Sequence, residues 1–491
     1  MSFKALLAAR AHREGRAQPS AQYRHRAIAE NPLCIVAWQL GAEPFSVGAI
    51  AFGTEKSGYQ LFVPGYPLDR ELLFAELTRL AQKFCPAFEA YMRGRCDAIE
   101  QYGAELQVPR QLPQIVVANV ETIGLIGRLG RRLAYLPTTG DRAADPVLTR
   151  MGRHFMWLAE HSNFPGQQLV LSVTDLLTMH YATGMSSYET GSLAAMYAWI
   201  NPGRGTDGFH AAEAAERQAV GPTPDPADGE RIFDLMKAFN EARGGSRDPA
   251  VVRRHAKTLR EFYDRMVDDT WSLVWEAIAH ERGRPEAASV ARRTQEDRLA
   301  YASHMSWMSG TAEGRRRTRM TSRSAAMRLN QYERAAARLE AEEAIDDPLR
   351  MVPFLLAGKA VAGNVVRSDP NRRELINGRN CKRPSVTLRT AEPCIMPRGT
   401  ELWWTEMPNG REWLVDAVSH NGAGSDVTLV LQTNRGLDGG LPRVHQRVCF
   451  SQLNTQERYE VHLPQDTPWT HRTPQPPETD LEGGASGSEA A

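Results

Sequence analysis

The sequence lacks any apolar run long enough to cross a bilayer, for which about 18 consecutive residues are needed. Its amino terminus is basic, but it has neither the uninterrupted apolar stretch nor the small-residue cleavage site of a secretory signal. These absences exclude an integral membrane protein and favour a soluble, cytoplasmic one. The 491 residues are enough for about three domains.

Cysteine is scarce, and the six cysteines are scattered along the chain. They form no Cys-x-x-Cys pair and no short Cys/His group of the spacing that zinc sites use. We therefore expect free thiols in a reducing compartment, with no metal and no cofactor. The cysteines are Cys34, Cys85, Cys96, Cys381, Cys394 and Cys449.

Lysine is scarce as well, since 52 of the 59 basic residues are arginine, as a GC-rich genome would produce. The acids nearly balance these bases, and the formal net charge is +1. No global field therefore draws the molecule towards nucleic acid or an anionic membrane, and any site for a polyanion must be local.

Complete catalytic motifs are also missing. The segment LLAGKAVAGN around Lys359 lacks the first glycine and the Ser or Thr of a phosphate-binding loop. Gly127 and Gly130 supply only two glycines of a dinucleotide fingerprint, and their place in a predicted helix favours a close helix–sheet contact. Dispersed histidines, of which His154 and His180 are examples, are interpreted as surface or satisfied core groups.

The order of elements predicts an α/β domain over residues 31–200, after a basic arm at residues 1–30. LCIVAWQL, VGAIAFG and YQLFVPG alternate with turn residues and predict a three-stranded meander. A helix, a strand and a further helix follow over residues 67–136. A linker is predicted at residues 201–230 and an all-α domain of three to five helices at residues 231–345.

The last third of the chain changes its period from helix to strand. A connecting segment is predicted over residues 346–380 and a small five-stranded β-barrel, SH3-like or OB-like, over residues 381–463. The acidic, Pro/Gly-rich tail, residues 464–491, has no periodicity and is predicted to be disordered.

The run CIVAWQLGAEPFSVGAIAFG, followed by GYQLFV, resembles the opening of DEDD-type exonucleases, which have an RNase H-like fold. The resemblance implies metal ions held by an Asp-x-Glu pair on the first strand. The matching positions here are Ala37 and Gln39, so it implies a degenerate nuclease fold without its metals. Other acids of the domain are solvated loop residues or, alternatively, a different metal cluster. They are Glu43, Glu121, Asp141, Asp145 and Asp175.

Two local concentrations of basic residues stand out, at residues 1–29 and 313–330, each with six bases against one acid. Guanidinium groups suit phosphate because each can donate two hydrogen bonds at once. The alternative is that the second cluster pairs with helix acids such as Glu340, Glu342 and Glu343. Its members are Arg315, Arg316, Arg317, Arg319, Arg323 and Arg328.

Trp403 and Trp404, in the predicted strand TELWWTE, are candidates for stacking on single-stranded bases, where each stacked base contributes about 1–3 kcal/mol. Neighbouring side chains of a strand point to opposite faces. We therefore expect one tryptophan in the core and the other free to bind.

These observations favour a non-catalytic, nucleic-acid-associated binding or scaffold protein, with DNA or RNA left open, that partners a helicase or nuclease encoded elsewhere. One alternative is a metal-dependent nuclease that uses the acids of the α/β domain. Another is a protein–protein assembly factor without nucleic-acid contact. No membrane partner is expected.

Overall fold

The computed structural model describes residues 2–40, 47–101, 103–140, 143–186, 189–216, 218, 220–246, 248–310, 321–407, 410–432 and 440–455. It has an α/β amino-terminal region, a helical middle and a carboxyl-terminal barrel of six antiparallel strands. The predicted tail at residues 464–491 lies outside these ranges. None of the described helices is both long and apolar enough to cross a membrane.

The α/β region is built on a five-stranded sheet. In chain order its elements are α1 (Phe3–Glu14), β1 (Gln18–Pro19), β2 (Leu33–Gln39), β3 (Val47–Thr54), β4 (Gly58–Phe62), α2 (Arg70–Glu89), β5 (Cys96–Gln101), β6 (Ala104–Pro109), β7 (Ile115–Val117), α3 (Val120–Leu133), α4 (Pro146–His161), β8 (Val170–Ser172), α5 (Val173–His180), β9 (Tyr181–Ala182), α6 (Leu193–Ile200) and α7 (Gly208–Ala215).

The sheet order is β4-β3-β2-β7-β8, so the first strand of the meander is central. β2, β3 and β4 pair antiparallel, whereas β7 and β8 run parallel to β2. The expected meander, helix, strand and helix are present. A hairpin of β5 and β6 lies between α2 and β7, where the sequence analysis predicted no strand.

Strand alternation divides the core into two layers. Ile35 on β2 packs with α2, α3 and α4, while Val36 packs on the opposite face with α5, α6 and α9 (Pro249–Arg282). Gly127 and Gly130 let α3 approach α4, because a Cβ at Gly130 would lie 2.4 Å from the Met156 amide nitrogen. The close contact expected at these glycines therefore joins two helices, not a helix and the sheet.

The helical middle comprises α8 (Pro226–Gly245), α9, α10 (Val290–Met308) and α11 (Ser322–Asp346). Its helices share the cores of the α/β region: Trp271 of α9 packs on one face of the sheet and Tyr301 of α10 on the other. The prediction of helices is confirmed, but they do not form a core of their own, because the sheet covers the apolar stripes that the sequence shows.

The amino-terminal arm is packed into the protein after α1, whereas its bases Lys4, Arg10, Arg13 and Arg16 are exposed. After α1 the chain is extended, and Arg24, His25 and Ala27 are buried. Arg24 forms an ion pair with Glu286 at 2.7 Å, and Arg26 pairs with Glu343 at 3.2 Å. These two arginines are therefore neutralised inside the fold.

The barrel begins at Ala360, inside the segment that the sequence analysis assigned to a connection. Its order is β10-β13-β16-β15-β14-β17, and a hairpin of β11 and β12 extends from it. The short helix before it and its strands are α12 (Pro348–Leu356), β10 (Ala360–Asp369), β11 (Arg373–Ile376), β12 (Arg379–Lys382), β13 (Ser385–Thr390), β14 (Glu401–Trp404), β15 (Trp413–Asn421), β16 (Gly424–Leu431) and β17 (Arg447–Ser451).

Candidate functional site

The carboxyl ends of the parallel strands are the usual position of a ligand-binding site in an open α/β sheet. β2 ends at Gln39, and Asn119 follows β7. Asn119 Oδ1 accepts hydrogen bonds from the amide and hydroxyl of Thr122 at 3.1 and 2.9 Å, which caps α3. The side chains at the ends of these two strands, Gln39 and Asn119, are therefore uncharged amides.

A segment of the chain, residues 220–223, covers this edge of the sheet. The Gln39 amide donates to the Pro222 carbonyl at 2.6 Å, and Gln39 Nε2 donates to the Thr223 hydroxyl at 3.0 Å. Asn119 Nδ2 donates to the carbonyls of Val220, at 3.2 Å, and Gly221. The edge is therefore occupied by main chain.

Gly221 is what allows this close approach. A Cβ at this position would lie 2.6 Å from the Ala37 carbonyl oxygen, well inside van der Waals contact. Ala37 itself is buried in the core, and Gln39 Oε1 accepts from Arg128 at 3.0 Å. The two positions matched to the exonuclease acids thus serve packing and hydrogen bonding.

The structure does not join the three candidate acids that it describes, Glu121, Asp145 and Asp175, into a ligand set. Glu43 and Asp141 lie outside the described residues. Asp145 caps α4 by accepting from the Val147 amide at 2.9 Å, and Glu121 and Asp175 lie in the first turns of α3 and α5. In the described part of the chain, one group of three potential ligands is close enough for an ion, and it contains none of these acids.

That group, Cys85, Glu89 and His154, lies between α2 and α4, and we call it the α2–α4 cluster. His154 Nε2 lies 2.9 Å from Glu89 Oε1, which also pairs with Arg150. Burial opposes ionisation of Glu89, but the hydrogen bonds from His154 and Arg150 outweigh it and lower its pKa to about 2. His154 Nδ1 lies 3.0 Å from His304 Nε2.

A second buried group, the arm network, joins the amino-terminal arm to three helices. His180 Nδ1 lies 2.7 Å from the buried Glu281 carboxylate, and its Nε2 accepts from the His25 amide at 3.2 Å. Because a backbone donor occupies Nε2, the proton of the neutral ring is on Nδ1. Asp347 accepts from the amides of Gln22, Tyr23 and Leu349, and its Oδ2 lies 3.2 Å from His25 Nε2.

Sequence reasoning missed both groups, because the hydrogen bonds that join their different elements span 65 to 325 residues of the chain. His154 and His180 carried only the general expectation of a satisfied core histidine. No spacing rule joins Cys85 and Glu89 to a histidine on another helix. The one available signal was that Cys85 and Glu89 lie four residues apart on an amphipathic helix.

The structure describes two of the six arginines in the cluster at residues 313–330. Arg315, Arg316, Arg317 and Arg319 lie outside the described residues. Arg323 is exposed near the start of α11, and Arg328 pairs with Glu160 and contacts the Tyr332 hydroxyl at 3.0 Å. Of the acids proposed as partners, Glu342 pairs with Arg292, Arg293 and Arg338 instead, and Glu343 with Arg26.

Both candidate tryptophans of the barrel are buried, Trp403 at 8% and Trp404 at 7% exposure. Trp404 packs in the barrel core beside Phe450, and Trp403 lies on the other side of the strand but is covered too. The expectation that one ring is free to stack on a base is therefore incorrect. Alternation predicted opposite faces, but not that both faces of this strand are covered.

Two exposed arginines, Arg373 and Arg379, and the half-buried Lys382 lie on β11 and β12, which we call the basic hairpin, residues 373–382. Arg373 and Lys382 are directly opposite in the register, and Leu375 shares their face with 75% exposure. Among the described residues, no ion pair joins Arg373, Arg379 or Lys382 to an acid. The turn is Asn377-Gly378, whose positive φ angles of 49° and 76° suit a two-residue hairpin loop.

Several neighbouring arginines of the barrel are neutralised, whereas Arg443 and Arg447 are exposed, like those of the basic hairpin, with no acid paired to them among the described residues. Arg372 pairs with Asp416 at 2.9 Å, and Arg389 makes two hydrogen bonds to Asp426 at 2.9 and 3.0 Å. The sequence contained a signal for the hairpin, since Asn-Gly is the strongest short-range turn pattern. The hairpin was nevertheless not predicted, because residues 346–380 were assigned to a connecting segment.

The comparisons with family models, curated proteins and solved structures found no match to this chain.

Proposed function

We propose that this chain is a non-catalytic nucleic-acid-binding protein whose basic hairpin contacts the phosphate backbone. The observation that carries the proposal is the exposure of Arg373 and Arg379, with half-buried Lys382 opposite Arg373, on a projecting hairpin with no described acid paired to these three cations. Each cation that neutralises a phosphate releases counterions, which drives binding at low salt. A formal charge of +1 for the whole chain makes this concentration of charge local.

The α/β region is proposed to be an RNase H-like domain that has kept its fold without its metals. The central first strand, the antiparallel meander and the parallel strands after it support this assignment. Gln39 and Asn119 stand at the strand ends, and residues 220–223 cover them. A substrate phosphate would have to displace that segment before it reached the sheet, which favours binding elsewhere.

The barrel is proposed to be an SH3-like or OB-like module that presents the basic hairpin. Leu375, two residues along β11 from Arg373 and on the same face as Arg373 and Lys382, offers an apolar contact to a sugar or a base. The arginines of residues 315–323 are proposed to add phosphate contacts, and Arg323 is exposed. The catalytic step would then belong to a helicase or nuclease partner.

Fluorescence anisotropy with labelled single-stranded DNA, duplex DNA and RNA of equal length tests the proposal. We expect binding at low salt, and a loss of at least tenfold in affinity for Arg373→Ala/Arg379→Ala/Lys382→Ala. The matched control, Arg253→Ala/Arg254→Ala/Arg260→Ala, removes the same charge from exposed positions on α9. It should lose less than threefold.

Absence of binding to all three probes at low salt would contradict the proposal. Equal losses in the two triple variants would also contradict it, because they would show a response to net charge with no role for the hairpin. The order of the three affinities shows which nucleic acid the surface prefers.

A further inference from the structure

The α2–α4 cluster contains three side chains whose donor atoms differ in kind but suit one class of ion. Cys85 and Glu89 project from the same face of α2, and His154 faces them from α4. The thiol sulfur, a carboxylate oxygen and an imidazole nitrogen all lie within 4.8 Å of one another. Tetrahedral zinc, with bonds of about 2.0–2.3 Å, needs ligand atoms roughly 3.5 Å apart. The widest separation would have to close by about 1.3 Å, and the 2.9 Å between Glu89 Oε1 and His154 Nε2 would have to open by about 0.6 Å.

The surroundings hold the three groups in place. Phe88 packs on the ring of His154 with centroids 5.2 Å apart, and the cluster lies beside the core between the sheet and its helices. His304 Nε2 lies 3.0 Å from His154 Nδ1. Metal-binding histidines usually donate their second ring N–H to such an acceptor, which directs the other nitrogen at the ion.

The charge of the cluster favours a divalent cation. In the structure Arg150 pairs with Glu89, and the side chain of Arg150 is 44% exposed. One thiolate and one carboxylate would neutralise a divalent ion completely, which matters in a buried position. Arg150 can turn to solvent when the ion takes its place. The thiol of Cys85 has only a weak alternative contact, to the Val147 carbonyl at 4.0 Å.

We propose that Cys85, Glu89 and His154 bind a zinc ion, with water as the fourth ligand. Binding breaks the S–H bond of Cys85, forms a zinc–sulfur bond and releases the proton to solvent. In the metal-free protein the His154 proton lies on Nε2 and is donated to Glu89. On zinc binding this proton moves to Nδ1 and is donated to Nε2 of His304, whose own proton is then on its Nδ1, so that Nε2 of His154 binds the ion. Thiolate and imidazole select zinc over magnesium and calcium, which prefer all-oxygen sites.

Metal titration of the purified full-length chain tests this proposal. After dialysis against a chelator, elemental analysis should show about one zinc ion per chain bound on return of Zn²⁺. Co²⁺ in its place should give the near-ultraviolet thiolate-to-cobalt band and visible bands of a tetrahedral site. Cys85→Ala should lose the thiolate band and the bound ion, whereas Cys34→Ala, equally buried on the other face of the sheet, should retain both.

Arg150→Ala provides a test that does not remove a ligand. Because Arg150 competes for Glu89, its loss should strengthen zinc binding by at least threefold. Weaker binding in this variant would overturn the proposal, as would a folded wild-type chain that takes up no zinc, or uptake that persists in Cys85→Ala. If Cys85→Ala fails to fold, Glu89→Gln replaces it, and unchanged cobalt spectra in Glu89→Gln would overturn the proposal.

Discussion

The α/β region and the barrel use arginine in different ways. In the α/β region and the helices packed on it, arginines such as Arg24 and Arg293 are buried and bonded to acids and carbonyl oxygens. On the basic hairpin of the barrel, Arg373 and Arg379 are exposed, with no acid paired to them among the described residues. The same residue type therefore builds structure in one region and remains available to a ligand in the other.

This difference shows why counting charges along the chain locates a binding surface poorly. The amino-terminal arm and the basic hairpin are both rich in bases, but the stretch of the arm that holds Arg24 and Arg26 is inserted between helices and loops that supply acids. A cluster of charged residues in the sequence marks a surface that a ligand can reach only where the folded segment is exposed to solvent. Charged side chains should therefore contribute more to the free energy of unfolding in the arm than on the basic hairpin.

The largest effect is expected where a single acid ties the arm to the fold. Asp347→Ala removes the acceptor for the amides of Gln22, Tyr23 and Leu349. Buried donors without partners are costly, so the free energy of unfolding should fall by about 3–5 kcal/mol. Asp426→Ala, which breaks the surface pair with Arg389 in the barrel, should cost about 1 kcal/mol or less in denaturant titrations. Equal losses of unfolding free energy in the two variants would contradict the difference between the arm and the barrel.

A smaller loss is expected at the covered edge of the sheet. Gly221→Ala places a Cβ 2.6 Å from the Ala37 carbonyl oxygen and should destabilise the protein by about 1–3 kcal/mol. Gly229→Ala is the control, because that glycine is in α8 with its nearest neighbour 4.0 Å away. It should be neutral or stabilise by up to about 1 kcal/mol. A tolerated Gly221→Ala would show that residues 220–223 are not held against the sheet.

The third effect concerns pH. Burial lowers the pKa of His180 below its ordinary value, despite the opposing hydrogen bond that its Nδ1–H donates to Glu281. The unfolded chain therefore binds a proton that the folded chain excludes, and the stability that neutral His180 provides is lost as the pH falls below about 6.5. Unfolding free energies should decline by up to about 1.4 kcal/mol per pH unit from this residue. His180→Gln should flatten the profile between pH 6.5 and 5; an unchanged slope would contradict the assignment.

The smallest effect on stability is expected on the basic hairpin. Its side chains contact solvent, so the triple alanine variant of Arg373, Arg379 and Lys382 should change the free energy of unfolding by no more than about 1 kcal/mol. A large loss in thermal denaturation would mean that these residues are structural. The contrast with the arm would then disappear.

The periodicity of the sequence predicted most of the secondary structure. The meander, α2 and the helices of the middle follow from apolar spacing and capping residues, such as Asp69 at the start of α2. β10 was missed because AVAGNVVRSD contains a glycine and polar residues, although Gly363 is needed where a Cβ would lie 2.5 Å from the Arg389 carbonyl oxygen. The buried histidine groups could not be predicted, since tertiary contact alone brings them together.

The most direct measurement for the proposed function is the dependence of duplex DNA affinity on salt. For the wild-type chain, the logarithm of the association constant should fall linearly with the logarithm of salt concentration. Each phosphate contact contributes about 0.9 to that slope, so the triple hairpin variant should have a slope smaller by almost 3. A slope that is the same in the variant and the wild type would contradict phosphate binding by the basic hairpin.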